Sequence, residues 1–226
     1  MLTGAGVSAE SGIDTFRDSE NSGLWSRYNP HELATPNAFA RDPKLVWEWY
    51  EWRRAKARSA QPNQAHEIIA MWEGRFPAFL LVTQNVDGLH QRAGSTRMLC
   101  LHGNATEVRC TASGQIFYRP NPLDELPPRC QCGAMLRPNI VWFGEALPLG
   151  AMETAFEAVA ECDVLVVVGT SLAVYPAASL VPGAMQKSIP VIEINTQTTD
   201  FSSRSISLIG KAGELLPLLN EGIQVV

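Results

Sequence analysis

The stretch Gly4-Ala5-Gly6-Val7-Ser8-Ala9 opens the chain with two glycines separated by one residue and an alanine three positions later. This spacing fits the G-x-G-x-x-G/A fingerprint, in which glycines let the backbone turn tightly and approach a pyrophosphate at a helix N-terminus. Taken alone the motif is weak, because a Gly-rich turn without a ligand fits these six residues equally well. The stretch therefore suggests a dinucleotide-binding α/β domain and requires support from the rest of the chain.

An ordinary dehydrogenase is a poor fit to the same stretch. Only Met1, Leu2 and Thr3 precede the turn, where the fingerprint follows a full strand. The dehydrogenase fold also requires a carboxylate about 20 residues further on for the ribose hydroxyls, and the nearby candidate, Glu20, lies in a polar segment.

The remainder of the chain predicts a parallel sheet covered by helices on both faces. Short aliphatic runs, which are continuous rather than alternating, indicate buried parallel strands, and helix-like segments lie between them. The predicted strands are Phe79–Thr83, Val164–Val168 and Pro190–Ile194, and the predicted helices include His66–Glu73, Ala151–Glu161 and Ala177–Gln186.

Two blocks interrupt this alternation. Residues 24–66 are rich in Trp and Arg at helical spacing and predict a helical insertion, and residues 103–138 form a small module with Pro-rich segments and a cysteine pair. The expected organisation is one catalytic domain over residues 1–226, with a Rossmann-like core formed by residues 1–23, 67–102 and 139–226.

The composition excludes several classes of protein. The chain has 226 residues and a net charge of -5 with acidic and basic residues interspersed, which argues against direct nucleic-acid binding. No apolar run approaches the ~20 residues of a membrane span. The five cysteines without an export signal argue against a disulfide framework and favour thiols or metal ligands in a cytoplasmic protein.

A longer window changes the interpretation of the Gly-rich turn. The segment Gly4-Ala5-Gly6-Val7-Ser8-Ala9-Glu10-Ser11-Gly12-Ile13-Asp14-Thr15-Phe16-Arg17-Asp18 resembles the signature that opens the sirtuin family. Four later segments resemble that family in the same order, namely Thr83–His90, Leu101–Gly103, Val141–Glu145 and Val168–Ser171. The resemblance implies a Rossmann-like domain with a helical insertion and a small zinc-ribbon-like module.

The same resemblance implies an NAD-dependent protein-lysine deacylase. NAD is consumed as a co-substrate, and the products are free lysine, nicotinamide and O-acyl-ADP-ribose. His102 is the candidate general base, because a neutral imidazole accepts a hydroxyl proton near neutral pH. On its own, a histidine between Leu101 and Gly103 is more often a hydrogen-bonded core residue.

Asn85 and Asp87 are the other candidate catalytic residues. They follow the predicted strand Phe79–Thr83 two residues apart, so both can face the cleft at the carboxyl end of the sheet. The resemblance implies that Asn85 orients the ribose and that Asp87 positions the nicotinamide amide. Asn and Asp are also ordinary turn residues.

The remaining NAD contacts rest largely on the resemblance. Phe16 would shield the reactive carbon from water, Arg17 would reach the phosphates, Asn195 would contact the adenosine ribose and Ala212 the adenine. The full predicted set is Gly4, Ala5, Gly6, Ala9, Glu10, Thr15, Phe16, Arg17, Gln84, Asn85, Asp87, Gly169, Thr170, Ser171, Asn195, Thr196, Gln197 and Ala212.

The substrate side is expected to combine an added strand with a charged acyl pocket. The strip Val141, Trp142, Phe143, Gly144 and Glu145 resembles the segment that binds an acyl-lysine peptide through its backbone. Tyr50 and Arg53 lie on one helical face and resemble the pair of the sirtuin class III, which removes succinyl and malonyl groups. Ala34 matches the small residue of that class. For an arbitrary helix, Tyr50 would be a core residue and Arg53 a solvated charge.

The zinc module departs from the family pattern of two Cys-x-x-Cys pairs. Ser113 stands where the second thiol after Cys110 is expected, and one residue separates Cys130 from Cys132. Zinc held by Cys110, Cys130 and Cys132, with an incomplete ligand set, and the absence of any metal both stay open.

Two other functions fit parts of the pattern. A mono-ADP-ribosyltransferase would use the same NAD site with a protein nucleophile, and a non-catalytic module would bind NAD or ADP-ribose. The presence of His102, Asn85 and the strip Val141–Glu145 favours deacylation over both.

Overall fold

The computed structural model describes residues 1–14 and 29–223. Its strands are β1 (Leu2–Thr3), β2 (Leu81–Thr83), β3 (Met98–Cys100), β4 (Gly103–Cys110), β5 (Ile116–Tyr118), β6 (Leu136–Ile140), β7 (Leu165–Val168), β8 (Val191–Asn195) and β9 (Ile206–Ile209). Its helices are α1 (Gly6–Ala9), α2 (Pro30–Leu33), α3 (Pro36–Arg41), α4 (Pro43–Ser59), α5 (Gln64–Arg75), α6 (Leu89–Arg92), α7 (Ala151–Glu161), α8 (Leu180–Gln186) and α9 (Ala212–Gly222).

Six strands form a parallel sheet in the order β3-β2-β1-β7-β8-β9. The chain runs outward from β1 through β2 to β3 and later returns to place β7 on the other side of β1. In open α/β sheets a ligand crevice lies where the strand order reverses, at the carboxyl ends of the strands. The sheet therefore places that crevice between the ends of β1 and β7, and the predicted parallel sheet is confirmed.

Strand β7 shows why its sequence is apolar without alternation. Its four residues are all buried, and successive side chains point to opposite faces of the sheet. Leu165 and Val167 pack in the core beneath α7 and α8, whereas Val166 and Val168 pack in the core formed with α5 and α9. Helices thus cover both faces, as the continuous apolar runs predict.

A second layer joins the helical block to a small antiparallel sheet of order β5-β4-β6. Trp47 and Tyr50 of α4 pack in one core with Val108 and Leu136 of that sheet. Arg54, which is 3% exposed, donates from its guanidinium to backbone carbonyls of the small sheet and its loop. These carbonyls belong to Ala105, Arg119 and Asn121. The bonds fix α4 against the sheet, because a buried guanidinium requires its hydrogen-bond partners.

The structure shifts some predicted boundaries. The predicted helix Ala177–Gln186 divides into a 3-10 turn, Ala177–Ser179, and the α-helix α8. Pro182 explains the division, since proline lacks the N–H donor and is tolerated only in the first turn of an α-helix. The predicted limits at residues 66 and 138 fall inside α5 and β6, and the division into core, insertion and module stays a prediction.

Across the two described ranges, no helix combines the length and the apolar character that a membrane crossing requires.

Candidate active site

The Gly-rich turn lies directly against the turn that follows β7. The amide of Gly4 donates to the carbonyl of Val168 at 3.1 Å, and the amide of Gly6 donates to the carbonyl of Gly169 at 2.8 Å. A Cβ on Gly4 would lie 2.6 Å from the Cβ of Thr170, and a Cβ on Gly6 would lie 2.8 Å from the Cα of Gly169. The glycines are therefore required for close backbone packing at the crevice, which fits a site where backbone amides approach a pyrophosphate.

Gly169→Ala is expected to destabilise the protein and weaken NAD binding. Gly169 has a φ of +60°, and an added Cβ would lie 2.5 Å from the backbone nitrogen of Val7. A left-handed backbone with a side chain costs about 1–3 kcal/mol, and the clash adds to it. Thermal melting and NAD titration measure the two effects.

Gly74→Ala is the matched control, because nothing lies within 4 Å of its Cβ position and it sits inside α5. It should leave NAD affinity unchanged and raise stability by up to about 1 kcal/mol. Equal melting temperatures and NAD affinities for Gly169→Ala and the parent would contradict the packing argument.

Side chains from three strand ends meet beside this turn. Gln84 follows β2 and donates from Nε2 to Oγ1 of Thr170 at 3.0 Å. Asn195 ends β8 and donates from Nδ2 to the carbonyl of Thr170 at 2.8 Å. Three of the predicted NAD contacts therefore form one hydrogen-bonded group at the carboxyl end of the sheet, where parallel strands bring such residues together.

The other predicted NAD contacts differ in their exposure and in the elements that carry them. Ser171, Thr196 and Gln197 are exposed after β7 and β8, and Ala212 is buried at the start of α9. The carboxylate of Glu10 accepts from the amide of Gly213 at 2.8 Å, so it caps the first turn of α9. The predicted residues Thr15, Phe16 and Arg17 lie outside the described residues.

Ser8 joins the two residues that follow β2. Its hydroxyl donates to Oδ2 of Asp87 at 2.8 Å and accepts from Nδ2 of Asn85 at 3.2 Å. Oδ1 of Asp87 accepts from the amide of Leu89 at 2.9 Å. Burial raises the pKa of Asp87, while the bonds from Leu89 and Ser8 and the charge of Arg53 act in the opposite direction. The structure thus brings Asn85 and Asp87 together, as the sequence predicts.

Two buried histidines lie beneath this group. Nε2 of His66 lies 3.3 Å from Oγ of Ser8, and Nε2 of His90 lies 3.1 Å from Oγ1 of Thr3. Burial lowers the pKa of His66 to about 3 and that of His90 to about 4, and the proximity of His90 contributes to the shift of His66. Both imidazoles are therefore neutral at working pH.

Folding stability should decrease as the pH falls from about 6.5 towards 4. In this window the unfolded chain binds protons at His66 and His90, whereas the folded chain does not, because their folded pKa values are about 3 and about 4. Each histidine should lower the free energy of unfolding by up to about 1.4 kcal/mol for each pH unit in this window. Urea denaturation at pH 7, 6 and 5 measures the slope.

His90→Gln should make this dependence shallower, and His31→Gln, at an exposed position, is the control. An unchanged slope in His90→Gln would contradict the assignment of the acid sensitivity to that residue.

His102 lies next to the same cleft, immediately before β4. Its Nδ1 lies 3.2 Å from the carbonyl of Gln84, which fixes the tautomer with a proton on Nδ1 and leaves Nε2 as the acceptor. Burial lowers the pKa of His102, and the bond to Gln84 partly offsets this. A neutral imidazole with a free Nε2 is the state that a general base requires.

Tyr50 and Arg53 line one cavity together with Asp87. The walls between them are largely apolar and include Val86 and Ile140. Burial lowers the pKa of Arg53, and Tyr50, Asp87 and Asp14 act in the opposite direction. The cavity therefore connects the predicted acyl-binding pair on α4 with the predicted catalytic carboxylate.

The strip Val141–Glu145 uses several of its backbone donors within the chain. The amides of Val141 and Phe143 donate to the carbonyls of His102 and Ala34, at 3.0 and 2.9 Å. The amide of Trp142 donates to Oε2 of Glu145 at 2.9 Å. Ala34, predicted to give room to the acyl chain, is buried and holds the strip in place.

Three thiols converge at the end of β4, the central strand of the small sheet. The sulfurs of Cys110, Cys130 and Cys132 all lie within 4.8 Å of one another, and those of Cys110 and Cys132 are 3.6 Å apart. Hydrogen bonds from Ser113 and from the Ala112 amide lower the pKa of Cys110 to about 6. This group fits three corners of a tetrahedral zinc site, and zinc would supply a structural crosslink there.

Sequence reasoning missed Ser8 and His66 as parts of the site. Ser8 lies inside the Gly-rich turn and carried no separate signal. His66 follows Asn63, which caps α5 and donates from Nδ2 to the carbonyl of Val7 at 2.8 Å. The Asn-x-x-His spacing at a helix start is the signal that would have suggested a polar anchor there.

The comparisons with known proteins agree with this geometry. The model of the Sir2 family matches residues 4–176. A protein of Aquifex aeolicus (strain VF5) named NAD-dependent protein deacylase is 54% identical over 203 residues, which are 89% of this chain and 84% of that protein. A solved structure described as a Sir2 homolog–NAD complex has a TM-score of 0.92 and 47% identity, covering 98% of this chain and 87% of that chain.

A further solved structure, described as Sir2 bound to acetylated peptide, has a TM-score of 0.85 and 29% identity over 98% of this chain and 91% of that chain. These matches confirm the predicted fold, NAD as the co-substrate and the enzyme class of NAD-dependent protein deacylase. Because the family model matches residues 4–176, which are most of its length, the chain belongs to the Sir2 family, the sirtuins.

Proposed function

We propose that this NAD-dependent protein deacylase removes acyl groups that end in a carboxylate, such as succinyl and malonyl, and accepts acetyl as well. The observation that carries the proposal is that Tyr50 and Arg53 line one cavity that also reaches Asp87. A hydroxyl and a guanidinium in one partly buried cavity form a carboxylate-binding pair, because the guanidinium binds a carboxylate bidentately.

The surroundings of Arg53 favour an anionic ligand. The guanidinium lies 5.1 Å from the ring centre of Trp49, and burial lowers the pKa of Arg53. A half-buried cation such as Arg53 is stabilised by a carboxylate that enters the cavity beside it. An acetyl group brings no charge and gains nothing from this interaction.

Tyr50 supports the same ligand. It is 3% exposed, and burial raises its pKa, with the charge of Arg53 acting against the shift. Its hydroxyl therefore keeps its proton at working pH and can donate it to a carboxylate oxygen.

The catalytic roles are proposed from the geometry at the carboxyl ends of β1 and β2. Asp87, held by Ser8, would orient the nicotinamide amide, and Asn85, held by the same hydroxyl, would orient the ribose. His102 would accept a ribose hydroxyl proton at Nε2. NAD supplies the ribose carbon that the acyl-lysine oxygen attacks, and positioning of the reactants is the main requirement for that step.

An acyl-lysine peptide would bind as an added strand along Val141–Glu145. Across residues 1–14 and 29–223, the carbonyls of Val141 and Phe143 and the amide of Gly144 make no recorded hydrogen bond. These groups are the ones through which a peptide backbone would pair, and such pairing depends little on side-chain sequence. The interspersed charges support a protein rather than a nucleic acid as the substrate, and a cytoplasmic location stays a prediction.

The test is a competition between two peptides that differ only in the acyl group, succinyl-lysine or acetyl-lysine. With NAD in excess, mass spectrometry of the mixture gives the ratio of the two kcat/KM values. We expect the succinyl peptide to react faster. A faster acetyl reaction would leave the deacylase assignment intact and would contradict the proposed acyl preference.

A further inference from the structure

Trp142 connects the substrate strip to the acyl pocket. Its indole Nε1 donates to Oη of Tyr50 at 2.9 Å, and both side chains are buried, at 2% and 3% exposure. The contact joins residues 92 positions apart in the chain. The hydroxyl of the acyl pocket is therefore not isolated but held by a side chain of the peptide-binding strip.

The chemistry of the two groups fixes the direction of this bond. An indole N–H is a donor only, so Oη of Tyr50 must accept from it. The hydrogen of the tyrosine hydroxyl is then directed to another acceptor. Within residues 1–14 and 29–223, no protein atom accepts that hydrogen. Tyr50 lines the same cavity as Arg53.

The indole is itself held from two sides. The guanidinium of Arg137 stacks 3.4 Å from the ring centre of Trp142, and Arg137 is bound by both carboxylate oxygens of Glu145, at 2.5 and 2.8 Å. Glu145 also accepts from the amide of Trp142. A planar guanidinium held by a bidentate carboxylate and stacked on the ring restricts the indole to one orientation.

We propose that Trp142 is a specificity-determining positioning residue, which fixes the hydroxyl of Tyr50 as a donor toward the carboxylate of a bound acyl group. The inference rests on the proposed function, because it assigns Trp142 to the same acyl pocket. Trp142 acts through Tyr50 and does not touch the acyl carboxylate.

Trp142→Phe tests the role, since it removes the indole N–H and keeps an aromatic ring under Arg137. The ratio of kcat/KM for the succinyl peptide over the acetyl peptide is expected to fall about fivefold, the effect of losing one hydrogen bond. The change should lie mainly in KM for the succinyl peptide. In a Tyr50→Phe background, Trp142→Phe should change the ratio no further.

Trp47→Phe is the matched control, because Trp47 is a buried tryptophan whose Nε1 donates to the carbonyl of Leu136 at 2.8 Å. It should lower the melting temperature without changing the acyl ratio. An unchanged ratio in Trp142→Phe, an equal change in Trp47→Phe, or a further fall in the Tyr50→Phe background would overturn the inference.

Two additional variants separate the possible failures. If Trp142→Phe does not fold, Arg137→Lys replaces it, because lysine cannot stack as a plane or bind Glu145 through two nitrogens. Its acyl ratio should fall, and an unchanged ratio would count against the inference. If Arg53→Met changes the ratio and Trp142→Phe does not, only the role of Trp142 is wrong. If neither changes it, the proposed function is wrong as well.

Discussion

His102→Ala should lower the rate of acyl transfer by about 10²- to 10⁴-fold, which is the usual contribution of a general base. The Gln84 carbonyl fixes the proton on Nδ1, so Nε2 is the available acceptor in the cleft. Loss of nicotinamide does not require this base. Exchange of labelled nicotinamide into NAD should therefore persist in the variant, and single-turnover assays would separate the two steps.

The pH dependence of the parent enzyme provides a second check on His102. Because burial lowers the pKa of His102, the imidazole stays neutral below its usual range, and the acidic limb of kcat should lie below about pH 6.5. His31→Ala serves as the control for the pH profile. Its ring lies 4.4 Å from that of Phe143 in the substrate strip, so the comparison uses the position of the acidic limb, which should equal that of the parent. Full acyl transfer by His102→Ala would show that another group acts as the base.

Arg53→Met should lower kcat/KM for the succinyl peptide by at least about 30-fold, because hydrogen bonds to a charged group are lost. This factor corresponds to a loss of about 2 kcal/mol in transition-state stabilisation. Methionine keeps much of the apolar stem and removes the charge. The acetyl peptide should lose less activity, since it presents no carboxylate to the guanidinium. Steady-state kinetics with both peptides measure the difference.

Arg58→Met is the matched control on the same helix. Arg58 pairs with Glu51 through a 2.6 Å contact and does not line the acyl cavity. It should leave the ratio between the two peptides unchanged. A variant Arg53→Met that retains full activity on the succinyl peptide would refute the role of the guanidinium.

The parallel sheet could be predicted from the sequence because the patterns that indicate its strands and helices are local. The run Val164–Val168 is apolar at every position, which predicts a strand buried on both faces, and the structure places β7 there. The predicted helix Ala151–Glu161 has the observed limits of α7. Gly4 and Gly6 are different, because their lack of a Cβ is required by close packing against the distant residues Gly169 and Thr170.

The hydrogen-bonded groups of the site could not be predicted from local sequence patterns. Ser8 contacts Asp87 across 79 positions, and Trp142 contacts Tyr50 across 92. Such pairs depend on how the helical block, the small sheet and the main sheet pack, and no local spacing encodes them. Glu10 is a further example, because its bond from the Gly213 amide at the start of α9 joins distant parts of the chain, while the NAD contact that its place in the signature suggests stays a prediction.

The cysteines illustrate an intermediate case. The sequence named Cys110, Cys130 and Cys132 as the candidate ligands, and the structure brings their sulfurs within 4.8 Å. The spacing alone did not establish this, because Cys130-Gln131-Cys132 is tighter than the usual pair. The fold supplies the missing constraint, since Cys110 ends β4 and the other two lie in the loop that precedes β6.

The most direct test of the deacylase activity is to identify by mass spectrometry the products that form from a succinyl-lysine peptide, NAD and the purified protein. We expect free lysine peptide, nicotinamide and O-succinyl-ADP-ribose in equal amounts. Peptide that gains ADP-ribose, or the absence of nicotinamide release with any acylated peptide, would contradict the assignment as a deacylase of this class.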